Sequence, residues 1–301
     1  MPFIFAQVGP ALLVGDPAGQ PPGSLAAMTA DPREVLVRPA PPPDATVRYG
    51  PHPDQVADLR LPARPDPTYP LVVVVHGGFW RQEYDRRHTG PLSSALAGLG
   101  YPVAQLEYRR TGPGGAGGWP ATGDDVAAGV AALPRLLAER TGLAPPGDPV
   151  LLGHSAGGHL ALWCAGTAAR VGGVLALAPV ADLGAAYRLD LDGGAVAALL
   201  GAGPDEAPDR YAAADPVRRV PIGVPAVIVH GERDRQVPIE LSRGYAARAR
   251  VAGDRVTLIA LPDSEHFGLI DPLSPAWPQV LGALRRAHAG DRGIDATLRS
   301  G

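Results

Sequence analysis

The sequence predicts an α/β fold, a doubly wound, mostly parallel sheet of about eight strands with helices on both faces. Three observations carry this prediction. Short apolar, β-branched runs such as Leu71–Val75 recur along the chain, as in strands covered on both faces. Ala-rich stretches of helical length alternate with them. The 301 residues, 46% of them hydrophobic, suffice for one large core.

From the N-terminus, residues 1 to about 34 are rich in Gly, Pro and Ala, and Pro39–Pro43 is a second Pro-rich stretch. A loose arm is expected over 1–45. A start at Met28 stays open. Thr46–Tyr49 and Gln55–Leu61 read as paired strands at a sheet edge. Leu71–Val75, Val103–Tyr108, Val150–Gly153, Val174–Leu177, Ala226–His230 and Val256–Leu261 follow as the remaining strands. Helices are expected over Gly90–Leu99, Asp124–Arg140, Gly157–Ala168, Ile239–Val251 and Ala276–Ala289. Right-handed crossovers then fix the doubly wound topology. The interval between the sixth and seventh strands is long and contains Ala195–Leu200 and Asp209–Ala213. It predicts a small helical cap over about 182–220. One domain is expected over 46–289, and 290–301 reads as a flexible tail.

Charge and composition exclude several function classes. The net charge is -3 and no basic run stands out, which argues against nucleic-acid and membrane partners. All 27 basic residues are Arg, so Schiff-base chemistry on Lys is excluded. The single cysteine, Cys164, cannot form an internal disulfide and reads as a small core residue. Met1–Phe5 lacks the basic start of a signal peptide, and no long apolar run follows. A soluble, cytoplasmic protein is expected, and a homodimer stays open.

The strongest chemical signal is Gly153-His154-Ser155-Ala156-Gly157, between an apolar strand and an Ala/Leu helix. A nucleophile on a sharp strand-to-helix turn needs neighbours without side chains. Ser155 would stand at the carboxyl end of the sheet, with helix N–H groups aimed at the site. The bland alternative is an ordinary Gly-rich turn. His76-Gly77-Gly78-Phe79-Trp80 follows the third strand. Adjacent glycines allow backbone N–H groups to approach a developing oxyanion, so Gly77 and Gly78 are candidate donors beside Ala156. A tight turn would explain the glycines but not the flanking His and Trp. His76 itself reads as an anchor of this loop rather than a base.

A hydroxyl nucleophile needs a base, and the base an orienting acid. His266 follows the last strand, and His230 and His288 are its alternatives. Asp234 follows the penultimate strand, and Glu232 and Asp182 are its alternatives. Asp182 reads equally well as a helix N-cap. Phe79, Trp80, Trp119 and Phe267 lie near carboxyl ends of strands and are candidate pocket residues, with local packing as the other reading. Arg109 and Arg110 could bind a substrate carboxylate or anchor the Gly-rich loop 112–118. That loop has no Lys-Ser/Thr partner and opens no helix, so it is a poor phosphate loop. His154 and His159 lack a third ligand at metal spacing, so no metal is expected.

These motifs resemble the α/β-hydrolase superfamily over about 46–289. His76–Trp80 is similar to the HGGxW motif of the kynurenine formamidase (arylformamidase) group, and to the HGGG motif of hormone-sensitive-lipase-like esterases with Phe79 in place of the third glycine. The resemblance implies Ser155, Asp234 and His266 as triad and Gly77, Gly78 and Ala156 as oxyanion hole. It implies a serine hydrolase for a small ester, or for N-formylkynurenine or another aryl formamide, with no cofactor. The alternative of another class is a non-catalytic binding protein on this fold.

Overall fold

The computed structural model describes residues 31–167 and 170–289. The first thirty residues of the expected arm, the expected tail and residue 168 lie outside these described residues.

Eight strands form one sheet: β1 (Ala45–Arg48), β2 (Val56–Arg60), β3 (Val72–Val75), β4 (Val103–Leu106), β5 (Val150–His154), β6 (Gly173–Leu177), β7 (Ala226–Gly231) and β8 (Val256–Leu261). Their order is β1-β2-β4-β3-β5-β6-β7-β8. β1, β2 and β4 pair antiparallel, and every pairing from β4 to β8 is parallel. This is the mostly parallel sheet that the alternation of strands and helices predicts, in the order of the α/β-hydrolase fold that the motif resemblance implies.

The helices are α1 (Gly90–Gly98), α2 (Ala121–Thr141), α3 (Ala156–Ala165), α4 (Leu183–Arg188), α5 (Ala195–Leu200), α6 (Pro208–Ala214), α7 (Ile239–Val251) and α8 (Trp277–Ala289). The period-2 geometry of a strand splits β3 between two cores. Val73 and Val75 pack with Val126, Leu133, Leu160 and Tyr245 from α2, α3 and α7. Val72 and Val74 pack with Leu92, Leu96, Val280 and Leu284 from α1 and α8. Both faces of the central strands are therefore dry, which is why their sequences run apolar without alternation. Among the described residues no helix is long and apolar enough to cross a membrane.

Two helix boundaries differ from those expected. α2 begins at Ala121, ahead of the acidic Asp124, and the Thr122 hydroxyl donates to Arg109 O at 2.7 Å. α3 ends at Ala165, where the Thr167 hydroxyl donates to Cys164 O at 2.6 Å. The insertion after β6 carries α4, α5 and α6, as its Ala-rich segments predict. Asp182 caps α4 through Ala185 N at 2.7 Å. That is the capping role open to it from the sequence.

The described part of the N-terminal arm holds a 3₁₀ turn at Pro32–Leu36, with Val35 fully buried in the α1/α8 core. Further on, Arg60 Nη1 donates to Pro41 O at 2.7 Å and Asp44 N to Leu59 O at 2.9 Å.

One close approach tests this packing. A Cβ added to Gly173 on β6 would lie 2.0 Å from Ala287 O on α8. Gly173→Ala must push α8 off the sheet. We expect a loss of roughly 1–3 kcal/mol, measured as a lower urea midpoint with unchanged slope.

Candidate active site

Ser155 sits between β5 and α3 with φ 56° and ψ -118°. A non-glycine residue there carries strain of order 1–3 kcal/mol and persists only where its surroundings over-determine it. They do. Ser155 N donates to Leu177 O at 2.8 Å, and Ser155 O accepts from His159 N at 3.1 Å and Val180 N at 3.2 Å. The flanking glycines permit the turn. A Cβ on Gly153 would lie 2.2 Å from Gly157 O, and one on Gly157 would lie 2.0 Å from Val75 O.

The loop after β3 lies directly against this turn. A Cβ on Gly77 would meet His154 O at 3.0 Å and Ser155 Cβ at 3.1 Å. Gly78 has φ +103°, and a Cβ there would strike Tyr84 Cβ at 2.4 Å. Phe79 and Trp80 also take positive φ, 48° and 59°. This conformation is held from behind. His76 Nδ1 donates to Gly77 O at 2.8 Å, and Nε2 to Glu107 Oε1 at 2.8 Å. Both partners are acceptors, so both ring nitrogens donate. A trans peptide points its C=O and N–H in opposite directions. Fixing Gly77 O toward His76 therefore turns Gly78 N–H away from that ring. Tyr108 stacks on His76 at 4.3 Å, and its hydroxyl donates to His76 O at 2.9 Å.

Glu107 is buried, which pushes its carboxyl up. The charge and hydrogen bond of His76, then Arg110 and the Arg86 N–H, outweigh burial and hold it down at about 2. Arg86 in turn pairs with Asp58 at 2.8 Å, and Arg110 with Asp54 at 3.2 Å. Arg109 forms a fork with the buried Asp125, at 2.8 and 2.7 Å. Both candidate anion-binding arginines thus serve the scaffold around the Gly-rich loop.

The loops that carry Asp234 and His266 follow β7 and β8. They touch backbone to backbone, because a Cβ on Gly231 would lie 2.3 Å from Ser264 O. Asp234 Oδ2 accepts from His266 Nδ1 at 2.6 Å, and Oδ1 accepts from Gln236 N and Val237 N at 2.8 and 2.9 Å. Burial pushes the Asp234 carboxyl up, but hydrogen bonds from His230 and His266 hold it well below the usual range. His230 lies beneath, with Nε2 3.3 Å from Asp234 Oδ2 and 2.9 Å from Val237 O. Its Nδ1 accepts from Ser242 Oγ at 2.7 Å. His288 instead reaches Thr68 O on the surface, at 3.1 Å. Glu232 pairs with Arg243 at 2.8 Å.

Ser155 and His266 line one small cleft of about 60 Å³. Its walls include Leu36, Phe79, Tyr84, His88, Asp192 and Phe267. Of the four aromatic residues expected around a pocket, Phe79 and Phe267 are here. Trp80 is not, because its positive φ turns it inward, fully buried, with Nε1 3.2 Å from His159 Nδ1. Trp119 is not either; it packs edge-on against Trp163 at 4.9 Å and covers Gly123. A wider surface groove of about 920 Å³ lies between α4 and α7, bounded by Arg188, Asp215 and Arg248. Its lining pairs no nucleophile with a base. His154 and His159 diverge from one another. His154 Nε2 donates to His266 O at 3.1 Å, and His159 Nε2 donates to Ala214 O at 3.0 Å. Burial keeps both rings neutral, with His159 lowered to about 4.

Leu36, Tyr84, His88, Asp192 and Gln236 carry no motif, and only the folded chain brings them to the cleft. Asp192 had one weak signal, the predicted cap that contains it. It is tied across the cleft to Arg81 at 2.5 Å.

With this geometry in place, comparison with known proteins assigns the family. The BD-FAE family model matches residues 57–248. The chain belongs to the BD-FAE family. Solved structures share its fold at low identity. A carbohydrate esterase from gut microbiota aligns at 20% identity and TM-score 0.66, over 81% of this chain and 96% of its own. Esterase B from Lactobacillus rhamnosis aligns at 22% and 0.69, over 86% and 90%. A propionate-bound esterase from Thermogutta terrifontis aligns at 22% and 0.61, over 81% and 91%. Among curated proteins, no sequence matches.

The loop anchor makes a prediction. Glu107 is lowered to about 2 from an ordinary value of 4.5, so its contribution is complete above that ordinary value and lost as pH falls toward 2. Glu107→Gln should lose roughly 3 kcal/mol at neutral pH. Urea titrations from pH 7 to 2 should show the gap to wild type closing only below about 4.5. A gap that stays constant across that window would show that the Glu107 charge does not stabilise the fold.

Proposed function

We propose that this BD-FAE member is a serine-dependent hydrolase of short-acyl carboxylic esters, acting through an acyl-enzyme. The observation that carries the proposal is the 2.6 Å bond between His266 Nδ1 and Asp234, with Ser155 on a strained turn in the same cleft. The carboxylate accepts, so Nδ1 bears the proton and Nε2 is left as the base. His266 takes the Ser155 proton as Oγ attacks the acyl carbon. The oxyanion that forms is held by Ala156 N–H at the start of α3 and by N–H groups of Gly77 and Gly78. His266 then protonates the departing alkoxide, and water releases the acid by the same steps in reverse roles. Asp234 remains ionised and stabilises the imidazolium. The esterase descriptions of the similar solved structures support an ester over other acyl donors.

The cleft favours a second reading. The cleft is small, about 60 Å³, and a formyl group is the smallest acyl group. An aryl formamide such as N-formylkynurenine would use the same Ser155, His266 and donors. The protein is read as soluble and cytoplasmic, with a small-molecule ester or amide as its partner.

Ser155→Ala should abolish p-nitrophenyl acetate hydrolysis and fluorophosphonate labelling, and labelling at the wild-type rate would remove Ser155 as nucleophile. Asp234→Asn should retain the fold and lower kcat by roughly 10⁴-fold, through the wrong imidazole tautomer. N-formylkynurenine turnover far above that of acetate esters would decide for the formamidase reading; no turnover would remove it.

A further inference from the structure

The described part of the N-terminal arm reaches the site that the motifs assemble. Leu36 ends the 3₁₀ turn Pro32–Leu36 and lines the cleft shared by Ser155 and His266. Three contacts hold this turn over the base loop. Arg38 forks onto Asp271, with Nη1–Oδ1 at 2.5 Å and Nη2–Oδ2 at 3.0 Å. Asp271 directly follows the 3₁₀ turn Phe267–Ile270 that His266 opens. The Arg33 guanidinium lies 5.8 Å from the centre of the Phe267 ring. Val35 is buried in the same core as Leu269 and Ile270, and Leu36 and Phe267 pack on that core's edge. Asp31 steadies the start of the turn through Arg33 N at 2.9 Å.

The cleft therefore has a floor and a wall of different origin. Its floor is the elbow and the loop after β3. One apolar wall is Leu36, facing a space shared with Phe79 and Phe267. The acyl group stays bonded to Ser155 after the alcohol has left, and the proposal assigns it the small space beside Ser155.

We propose that Leu36, held over the base loop by the Arg38–Asp271 ion pair, sets the upper limit on acyl length. This rests on the reading of Ser155 as an ester-cleaving nucleophile. Truncating Leu36 opens the wall where a longer chain would run. Breaking the ion pair loosens the same wall without altering any side chain that lines the cleft. Arg38 and Asp271 are positioning residues in this scheme, since they act through Leu36.

The test compares kcat/KM for p-nitrophenyl acetate, butyrate and octanoate in the full chain. Leu36→Ala should raise the octanoate-to-acetate ratio by about tenfold or more, the discrimination expected from a few methylenes in an apolar pocket. Leu36→Trp should lower the butyrate-to-acetate ratio. Arg38→Ala should shift the ratio in the same direction as Leu36→Ala but less. A purely structural role would lower all esters in proportion and leave the ratios flat, and that result overturns the proposal. A ratio that moves only when the alcohol is lengthened at constant acetyl also overturns it. Ser155→Ala serves as the separate control. If it keeps wild-type turnover, the nucleophile reading fails; if it is inactive while the Leu36 ratios stay flat, only the acyl-limit proposal fails.

Discussion

The site depends on one backbone contact, between the turn at Ser155 and the end of β3. Gly157 lies so close to Val75 O and His76 O that a single methyl carbon would sit 2.0 and 2.5 Å from them. The adjacency of β3 and β5 in the sheet makes that contact available. It sets the distance between Ser155 and the loop that carries Gly77 and Gly78. No side chain could substitute for it, because side chains adjust by rotamer hops while two touching backbones do not. The glycines of the elbow are thus a consequence of the loop opposite them as much as of the turn itself.

Two buried imidazole–carboxylate pairs flank this contact and do different work. In Asp234–His266 the carboxylate takes Nδ1, and the other nitrogen is left for chemistry. In Glu107–His76 it takes Nε2, and the other nitrogen is spent on Gly77 O. The second ring has no free nitrogen, so it can hold a loop but cannot move a proton for a substrate. Both carboxylates are held below their ordinary range despite burial, and in both the hydrogen bonds of their partners overcome the desolvation. Asp234 is additionally fixed by two backbone N–H groups, at Gln236 and Val237.

The sheet, its helices and the elbow were legible because each is a local pattern. Continuous apolar runs mark strands covered on both faces, and here Val72–Val75 and Val150–His154 are buried throughout. The bond between Asp234 and His266 was legible only through chain order, since thirty-two positions separate the two residues. Of the walls, Phe79 and Phe267 were legible and the rest were not. Leu36 sits in a Pro-rich segment whose composition reads as linker, and nothing local signals that Arg38 meets a carboxylate 233 positions away. Trp80 failed for the opposite reason. Its place in a motif suggested the pocket, but the left-handed backbone at Phe79 and Trp80 rotates successive side chains differently from a regular turn. Phe79 reaches the cleft, while Trp80 goes to the core and finds His159 for its indole N–H.

The floor and rim of the cleft are held by forces of different stiffness. The floor rests on steric contact between backbones and on buried hydrogen bonds such as those of Ser155 N and O. The rim rests on ion pairs that keep some contact with water. Arg81–Asp192 joins the loop after β3 to the insertion after β6, with side chains 32% and 41% exposed. Arg38–Asp271 joins the N-terminal turn to the base loop, at 26% and 12%. An exposed pair such as Arg81–Asp192 contributes about 1 kcal/mol or less, whereas Arg38–Asp271 is bidentate and more shielded. The rim contacts lie apart from those that fix Ser155, His266 and the loop after β3, so the rim can differ while these stay registered. On the proposed reaction, substitutions in the floor should change rate, and substitutions in the rim should change which acyl group is accepted. The same division explains the unequal legibility: a rigid floor needs glycines and a charged pair at set places, whereas a pliant rim can be built from almost any loop that reaches it.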